Sequence, residues 1–183
     1  YEAIAVVTNS VGESQEGKYY FSVGDRSMRL SINIPDKWNK DSDEKIVISA
    51  TNLNGQEVSA QGKYTLFLLE DEKDEKDNNE RINPFLQTPL PIKEEVYQGT
   101  FVAGKPLDTQ PFAQFPSGRY RIKMEALDSQ NRPVTSEEEF ILYGINDKRP
   151  PVYSHGWVVP VKTTVSPGET AEIIFGTSDK KAF

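Results

Sequence analysis

Cysteine is absent from the 183 residues and histidine occurs once, at His155. The first absence excludes disulfides, thiolate metal sites and cysteine nucleophiles. The second leaves His155, in VYSHGWVV, without the second His or Cys that a zinc site or a hydrolytic constellation would recruit. It reads as a residue at a domain junction. No apolar run approaches the ~18 residues that cross a bilayer. Basic residues are also short: 21 Lys and Arg against 28 Asp and Glu give a net charge of −7. That balance argues against nucleic acid and anionic membrane as partners, since both reward clustered Lys and Arg. An initiating Met and a charged-then-apolar leader are missing too, so Tyr1 is expected to lie inside a longer gene product or to follow processing.

Helical periodicity is scarce, and period-two alternation takes its place. In SMRLSINIP, Met28, Leu30, Ile32 and Ile34 fall on one face and Arg29, Ser31 and Asn33 on the other. Successive side chains of a strand point to opposite sides of the pleat, so this is a half-buried strand. EKIVISATNLNGQEV follows, with a bend at Asn54-Gly55, where positive φ angles are readily supplied. Further strands are expected in 62–70, 94–104, 117–130 and 134–144, with a weak one in 106–115. Seven strands at this spacing predict an all-β fold, an antiparallel β-sandwich over about 26–147.

The first 25 residues lie without gaps over YRIKMEALDSQNRPVTSEEEFILYG, matching Tyr1 to Tyr120, Ser10 to Ser129 and Phe21 to Phe140. This predicts that 1–25 is the closing hairpin of a preceding copy of the same domain. At the other end, NDKRPPV (146–152) reads as a stiff linker, because Pro150-Pro151 enforces extended geometry. Residues 148–183 are then linker plus the opening hairpin of a following unit. Ser166-Pro167-Gly168-Glu169 is its turn, with Pro presetting φ and Gly taking the positive φ of a type II turn. Both end hairpins are expected to stack on the central unit or to pair, rather than hang free.

VSPGETAEIIFG is similar to the segment that opens macroglobulin-type β-sandwich domains of the α2-macroglobulin superfamily. SGRYRIKMEALDSQNRPVTSEEEFIL and NLNGQEVSAQGKYTLFLLE resemble later segments of the same domains. The resemblance implies a macroglobulin/Ig-like fold and a segment of a large bacterial α2-macroglobulin-like protein, whose family traps proteases at the cell surface. Many members carry a Cys-Gln thioester, which a chain without Cys cannot hold. The family implies a periplasmic or membrane-anchored parent, with neighbouring domains of the same polypeptide, and a protease, as partners. The segment itself would be scaffold, neither an enzyme nor a carrier of cofactor or metal. The alternative is an adhesion or carbohydrate-binding β-sandwich of another surface protein.

Candidate interaction residues are few. Trp38 could present an exposed ring to a partner or sugar, although a Trp there more often caps a sandwich core. NPFLQTPLPIKEEV, with three prolines, must be extended and irregular, and could dock through Phe85, Leu86 and Leu90. EDEKDEKDNNER (70–81) is a charged, Gly-free stretch that reads as a solvated loop. Glu137, Glu138 and Glu139 read as a charged edge ahead of the last strand.

Overall fold

The structure, a computed structural model, describes residues 1–21, 24, 26–70, 89–161 and 164–179. The described residues are all-β. Eleven strands run in chain order: β1 (Glu2–Thr8), β2 (Ser14–Tyr20), β3 (Met28–Ile32), β4 (Lys37–Asn39), β5 (Ile48–Asn52), β6 (Gln61–Leu69), β7 (Ile92–Val102), β8 (Gly118–Leu127), β9 (Pro133–Tyr143), β10 (Trp157–Pro160) and β11 (Ile173–Gly176). One short 3-10 helix, Gln110–Gln114, interrupts them.

Five strands form one sheet in the order β4-β9-β8-β6-β7. All its pairings are antiparallel except β4 with β9, which run parallel from Lys37↔Ile141 to Asn39↔Tyr143. β3 and β5 pair antiparallel in a second sheet. The chain leaving β7 joins the far side of β5, with Gly104 N–H donating to the Ile48 carbonyl and Leu107 N–H to that of Ile46. β1–β2 and β10–β11 are separate hairpins.

The alternation read from the sequence decides which side chains meet. Met28 and Leu30 from β3 and Ile48 and Ala50 from β5 point at Tyr64, Leu66, Tyr120, Ile122, Met124 and Phe140 from the larger sheet. These side chains make one continuous core, and each large one contributes about 1.5–3 kcal/mol by leaving water. The outer face of the larger sheet carries charge instead. Arg121 pairs with Glu139 at 2.6 Å and Lys123 with Glu125 at 3.1 Å, while Lys63 reaches Glu125 at 3.1 Å. Glu137–Glu139 therefore do not precede the last strand: they lie inside β9, opposite Lys123, Ile122 and Arg121. Arg121 on β8, 3.8 Å from Glu137 and 2.6 Å from Glu139, offsets charge along this exposed run.

The weak strand expected over 106–115 pairs only at its start, where Val47 bridges Pro106. Asp108 then accepts from Gln110 N–H at 3.1 Å, and Phe112 N–H donates to the Thr109 carbonyl. Pro111 has no N–H to offer a ladder, so it fits the start of a helical turn. The turn drives Phe112, 1% exposed, into the core.

One turn recurs three times. Asn9, Asn52 and Asp128 each accept, through the side-chain oxygen Oδ1, the backbone N–H groups two and four residues on. In each, the first residue's N–H donates to the carbonyl four residues ahead. The fourth position takes a positive φ: 88° at Gly12, 80° at Gly55 and 59° at Asn131. An Asx side chain that mimics backbone, followed by Gly or Asn in the left-handed region, is what this loop requires.

Candidate functional site at the two junctions

Elements that could do something beyond holding the core together gather at two places, beside the entry of β3 and at the exit of β9. At the first, the Asp128 carboxylate is almost wholly shielded yet receives five donors. Its Oδ1 takes Gln130 N–H at 2.8 Å and Arg132 N–H at 2.9 Å. Its Oδ2 takes Arg132 Nε at 3.0 Å, Arg132 Nη2 at 2.8 Å and Ser27 N–H at 3.2 Å. Burial pushes this carboxyl up, but the backbone and guanidinium donors outweigh it and hold the group far below the usual carboxylate range. The Ser27 bond fastens the entry of β3 to the β8–β9 turn, 101 residues away. An open groove of about 640 Å³ runs beside it, between Met28, Val58, Gln61 and Leu127.

The second junction lies at the exit of β9. Gly144 N–H donates to Asp147 at 2.8 Å and Ile145 N–H to Asp41 at 3.1 Å, which fixes the direction in which the chain leaves. Beyond it, Trp157 and Val159 of β10 bury against Tyr143 and Val152, with Ile141 and Ile174 alongside. The Trp157 ring meets that of Tyr143 edge-on at 5.7 Å. The Lys37 ammonium sits 4.5 Å over the Trp157 ring and donates to the Val158 carbonyl at 3.2 Å. The linker holds this hairpin a second time. Ser178 N–H donates to the Ser154 carbonyl, and His155 Nδ1 lies 2.9 Å from Asp179. The lone histidine thus belongs to a latch between linker and tail. The turn at 166–169 closes as expected, with Glu169 N–H donating to the Ser166 carbonyl and Gly168 at φ 93°.

The residues singled out from the sequence are not brought together. Trp38 is the correction. It is 1% exposed, edge-on to Phe112 at 5.5 Å and tilted on Phe140 at 5.9 Å, so it offers no ring to a partner. The parallel pairing of β4 with β9 turns it inward. Leu90 is half-buried, and its carbonyl takes a hydrogen bond from Arg121 Nη2 at 3.4 Å. Phe85 and Leu86 lie outside the described residues, as does nearly all of the 70–81 charged stretch.

No family model, curated protein or solved structure matches this chain. Among the described residues no group of three or more His, Asp or Glu is placed to hold a metal ion. No helix among them is long and apolar enough to cross a membrane.

The alignment of 1–25 with 120–144 has a geometric counterpart. β1–β2 pairs Glu2 with Tyr20 through Thr8 with Ser14, and β8–β9 pairs Arg121 with Glu139 through Leu127 with Pro133. Each pair in the first hairpin becomes a pair in the second when 119 is added to both numbers. The ring stacks coincide as well. Tyr1 lies on Phe21 with centroids 5.8 Å apart and planes 19° apart, and Tyr120 on Phe140 at 5.8 Å and 22°. The two faces of β1–β2 also differ in character. Glu2, Lys18 and Glu16 form ion pairs on one, with Thr8 and Ser14 hydrogen-bonded beside them. The other carries Tyr1, Ala3, Ala5, Val7, Tyr19 and Phe21, with no charge. Its counterpart in β8–β9 is the core face, except that Tyr19 stands where Glu138 is exposed. Asp128, Lys37 and Tyr143 carry the junctions and escape single-residue reading of the sequence. Only the recurring Asx-x-x-Gly/Asn spacing could have flagged the first of them.

Proposed function

We propose that this chain is a non-catalytic structural segment of a tandem array of the α2-macroglobulin-like kind. It comprises a seven-stranded β-sandwich over 26–147, the closing hairpin of a preceding unit in 1–25, and a linker and opening hairpin in 148–183. The observation that carries the reading is the shared register, turn and ring stack of β1–β2 and β8–β9. A hairpin that repeats another at this level of detail, and keeps its uncharged face without a sandwich to cover it, is best understood as the end of a second copy.

A second observation supports the sandwich itself. The Tyr120 hydroxyl donates to the carbonyl of Pro116 at 2.6 Å, four residues back, as β8 enters the sheet. A tyrosine bonding back to the backbone at such a corner is a hallmark of Greek-key sandwiches. On this reading the working parts are the joints. Asp128 fastens Ser27 at the entry of β3, and Trp157 with Lys37 holds the following hairpin against Tyr143. The protein's contribution to protease trapping or surface defence is then to space and orient neighbouring domains of one polypeptide, outside the cytoplasm.

The adhesion or glycan-binding alternative has less support. The large apolar residues exposed on the central strands and their exit are Ile92, Val102, Leu127 and Ile145, and none is aromatic. Expression of 26–147 alone tests the domain reading. It should unfold in a single cooperative urea transition, with a midpoint close to that of the full chain. A fragment without cooperative unfolding would refute it, and saturable binding on a glycan array would favour the alternative.

A further inference from the structure

Asn54 is the one asparagine of the chain that is followed by glycine. Such a pair is chemically unstable. The backbone nitrogen of the glycine can attack Cγ of the asparagine, because no Cβ on the following residue crowds its approach. The surroundings here are open as well. Asn54 and Gly55 are exposed, and nothing lies within 4 Å of where a Cβ on Gly55 would sit. We propose that Asn54 is a site of spontaneous deamidation, and that the turn built by Asn52 sets its rate.

The step consumes water and no other reagent. The Gly55 nitrogen gives up its proton and bonds to Asn54 Cγ, the Cγ–Nδ2 bond breaks, and ammonia leaves. Water then opens the resulting succinimide at either of its two carbonyls. One product has aspartate at position 54. The other is an isoaspartyl linkage, in which the main chain runs through the former side chain. Both add one negative charge.

The Asx turn restrains this step. Gly55 N–H, the attacking group, donates to the Asn52 carbonyl at 3.0 Å. Asn52 Oδ1 holds the amides on either side of it, Asn54 N–H at 2.9 Å and Gln56 N–H at 3.0 Å. Asn52 N–H closes the loop on the Gln56 carbonyl at 2.8 Å. The Gly55 proton has to leave before its nitrogen can bond to Cγ, so these bonds must open first. Local opening of the turn therefore limits the rate in the folded chain. The other two Asx turns have Val11-Gly12 and Gln130-Asn131 at the corresponding positions, and neither pair can react this way.

The site also has consequences for its surroundings. Asn54 lines an open groove of about 420 Å³ together with Arg26, Gln130 and Arg132. A carboxylate formed there joins two guanidiniums, one of which already binds Asp128 beside the entry of β3. The isoaspartyl product lengthens the loop by one main-chain atom, so Asn52 Oδ1 can no longer meet both amides.

Peptide mass spectrometry after incubation at neutral pH is the test, applied to the folded chain, to the chain unfolded in guanidinium chloride, and to two variants. Conversion at Asn54 should be slow in the folded chain and faster in the unfolded one. Asn52→Ala loses both Oδ1 bonds and should convert about tenfold faster than the parent while still folded by circular dichroism. Asn52→Asp keeps the acceptor, as Asp128 does in its own turn, and should stay close to the parent. The Gln56 amide, which accepts from Asn52 Nδ2 at 3.0 Å, can turn to donate to it instead. Should Asn52→Ala fail to fold, the ratio of folded to unfolded rates in the parent still decides. Equal rates in the folded and unfolded chains would overturn the proposal. So would equal acceleration by the Ala and Asp variants, or an Asn54 that stays intact when the chain is unfolded.

Discussion

The hydroxyl of Tyr120 reaches 2.6 Å from the carbonyl oxygen of Pro116, while its ring, fully buried, stacks on Phe140. Burial, with Glu94 adding to it, pushes the phenol up to about 12. A raised phenol pKa means that the folded state keeps the proton longer than the unfolded state does. The stability this provides is complete below pH 10 and is lost as pH climbs from 10 towards 12. Tyr120→Phe should cost about 0.5–1.5 kcal/mol at neutral pH, because a part-buried hydrogen bond to the Pro116 carbonyl is lost. It should also flatten the alkaline limb of a stability-pH curve measured by urea unfolding. An unchanged limb would mean that other groups set the alkaline response.

Asp128 has the opposite sign. Its carboxyl is depressed in the folded state, so its contribution is present above the ordinary carboxylate range and fades as pH falls below about 4. Asp128→Asn keeps the Oδ1 acceptor of the turn, as Asn9 and Asn52 do, but gives up the charge facing Arg132. The variant should be less stable at pH 7 and should lose less on acidification than the parent chain. Thermal melts from pH 3 to pH 7 would decide it, and parallel curves for the two proteins would rule the assignment out.

Trp157→Ala should release β10–β11 without unfolding the paired sheets. Removing a buried Trp costs about 3–5 kcal/mol, and here the loss falls on docking of a four-residue strand pair. Native-state hydrogen exchange should show the amides of β10 and β11 exchanging as though locally open, while those of β6 and β8 keep their protection. Equal loss of protection throughout would show that the hairpin and the core unfold as one unit.

Gly62 occupies a place that no side chain can share. A Cβ there would sit 2.1 Å from the Glu125 carbonyl oxygen and 2.8 Å from the Phe101 ring. Gly62→Ala must move backbone, because the nearest obstacle is not a flexible side chain. A loss of about 1–3 kcal/mol is expected from such overpacking. Denaturant titration would reveal it, and a midpoint equal to the parent's would contradict the close approach.

Much of the strand pattern was legible because alternation is written residue by residue. Met28 to Ile34, Ile46 to Ala50 and Tyr120 to Ala126 declare their inner faces directly. The gapless match of 1–25 to 120–144 was legible for the same reason, since two antiparallel strands and a short turn are local in sequence. What escaped was non-local. A three-residue strand such as β4 has no period to detect, and only its pairing with β9, about a hundred residues on, turns Trp38 inward. Phe112 likewise enters the core through a 3-10 turn, in a stretch whose apolar residues also suited a strand. The run Glu137–Glu139 is exposed, as expected of it, but its place inside β9 stayed hidden because Arg121, which pairs with Glu137 and Glu139, lies across a hairpin. The junctions depend on the same kind of distant meeting, Ser27 with Asp128 and Lys37 with Trp157.

The parallel pairing of β4 with β9 bears on tension. If the chain is pulled from both ends, the load enters near Met28 and leaves near Tyr143. β4 is then drawn toward the amino end while its neighbour β9 is drawn toward the carboxyl end. The bonds from Ile141 N–H to the Asp36 carbonyl at 2.7 Å and from Lys40 N–H to that of Tyr143 at 2.9 Å lie across this direction. They must shear together rather than unzip one by one. A three-residue strand is thereby placed where its bonds to β9 oppose stretching of the chain.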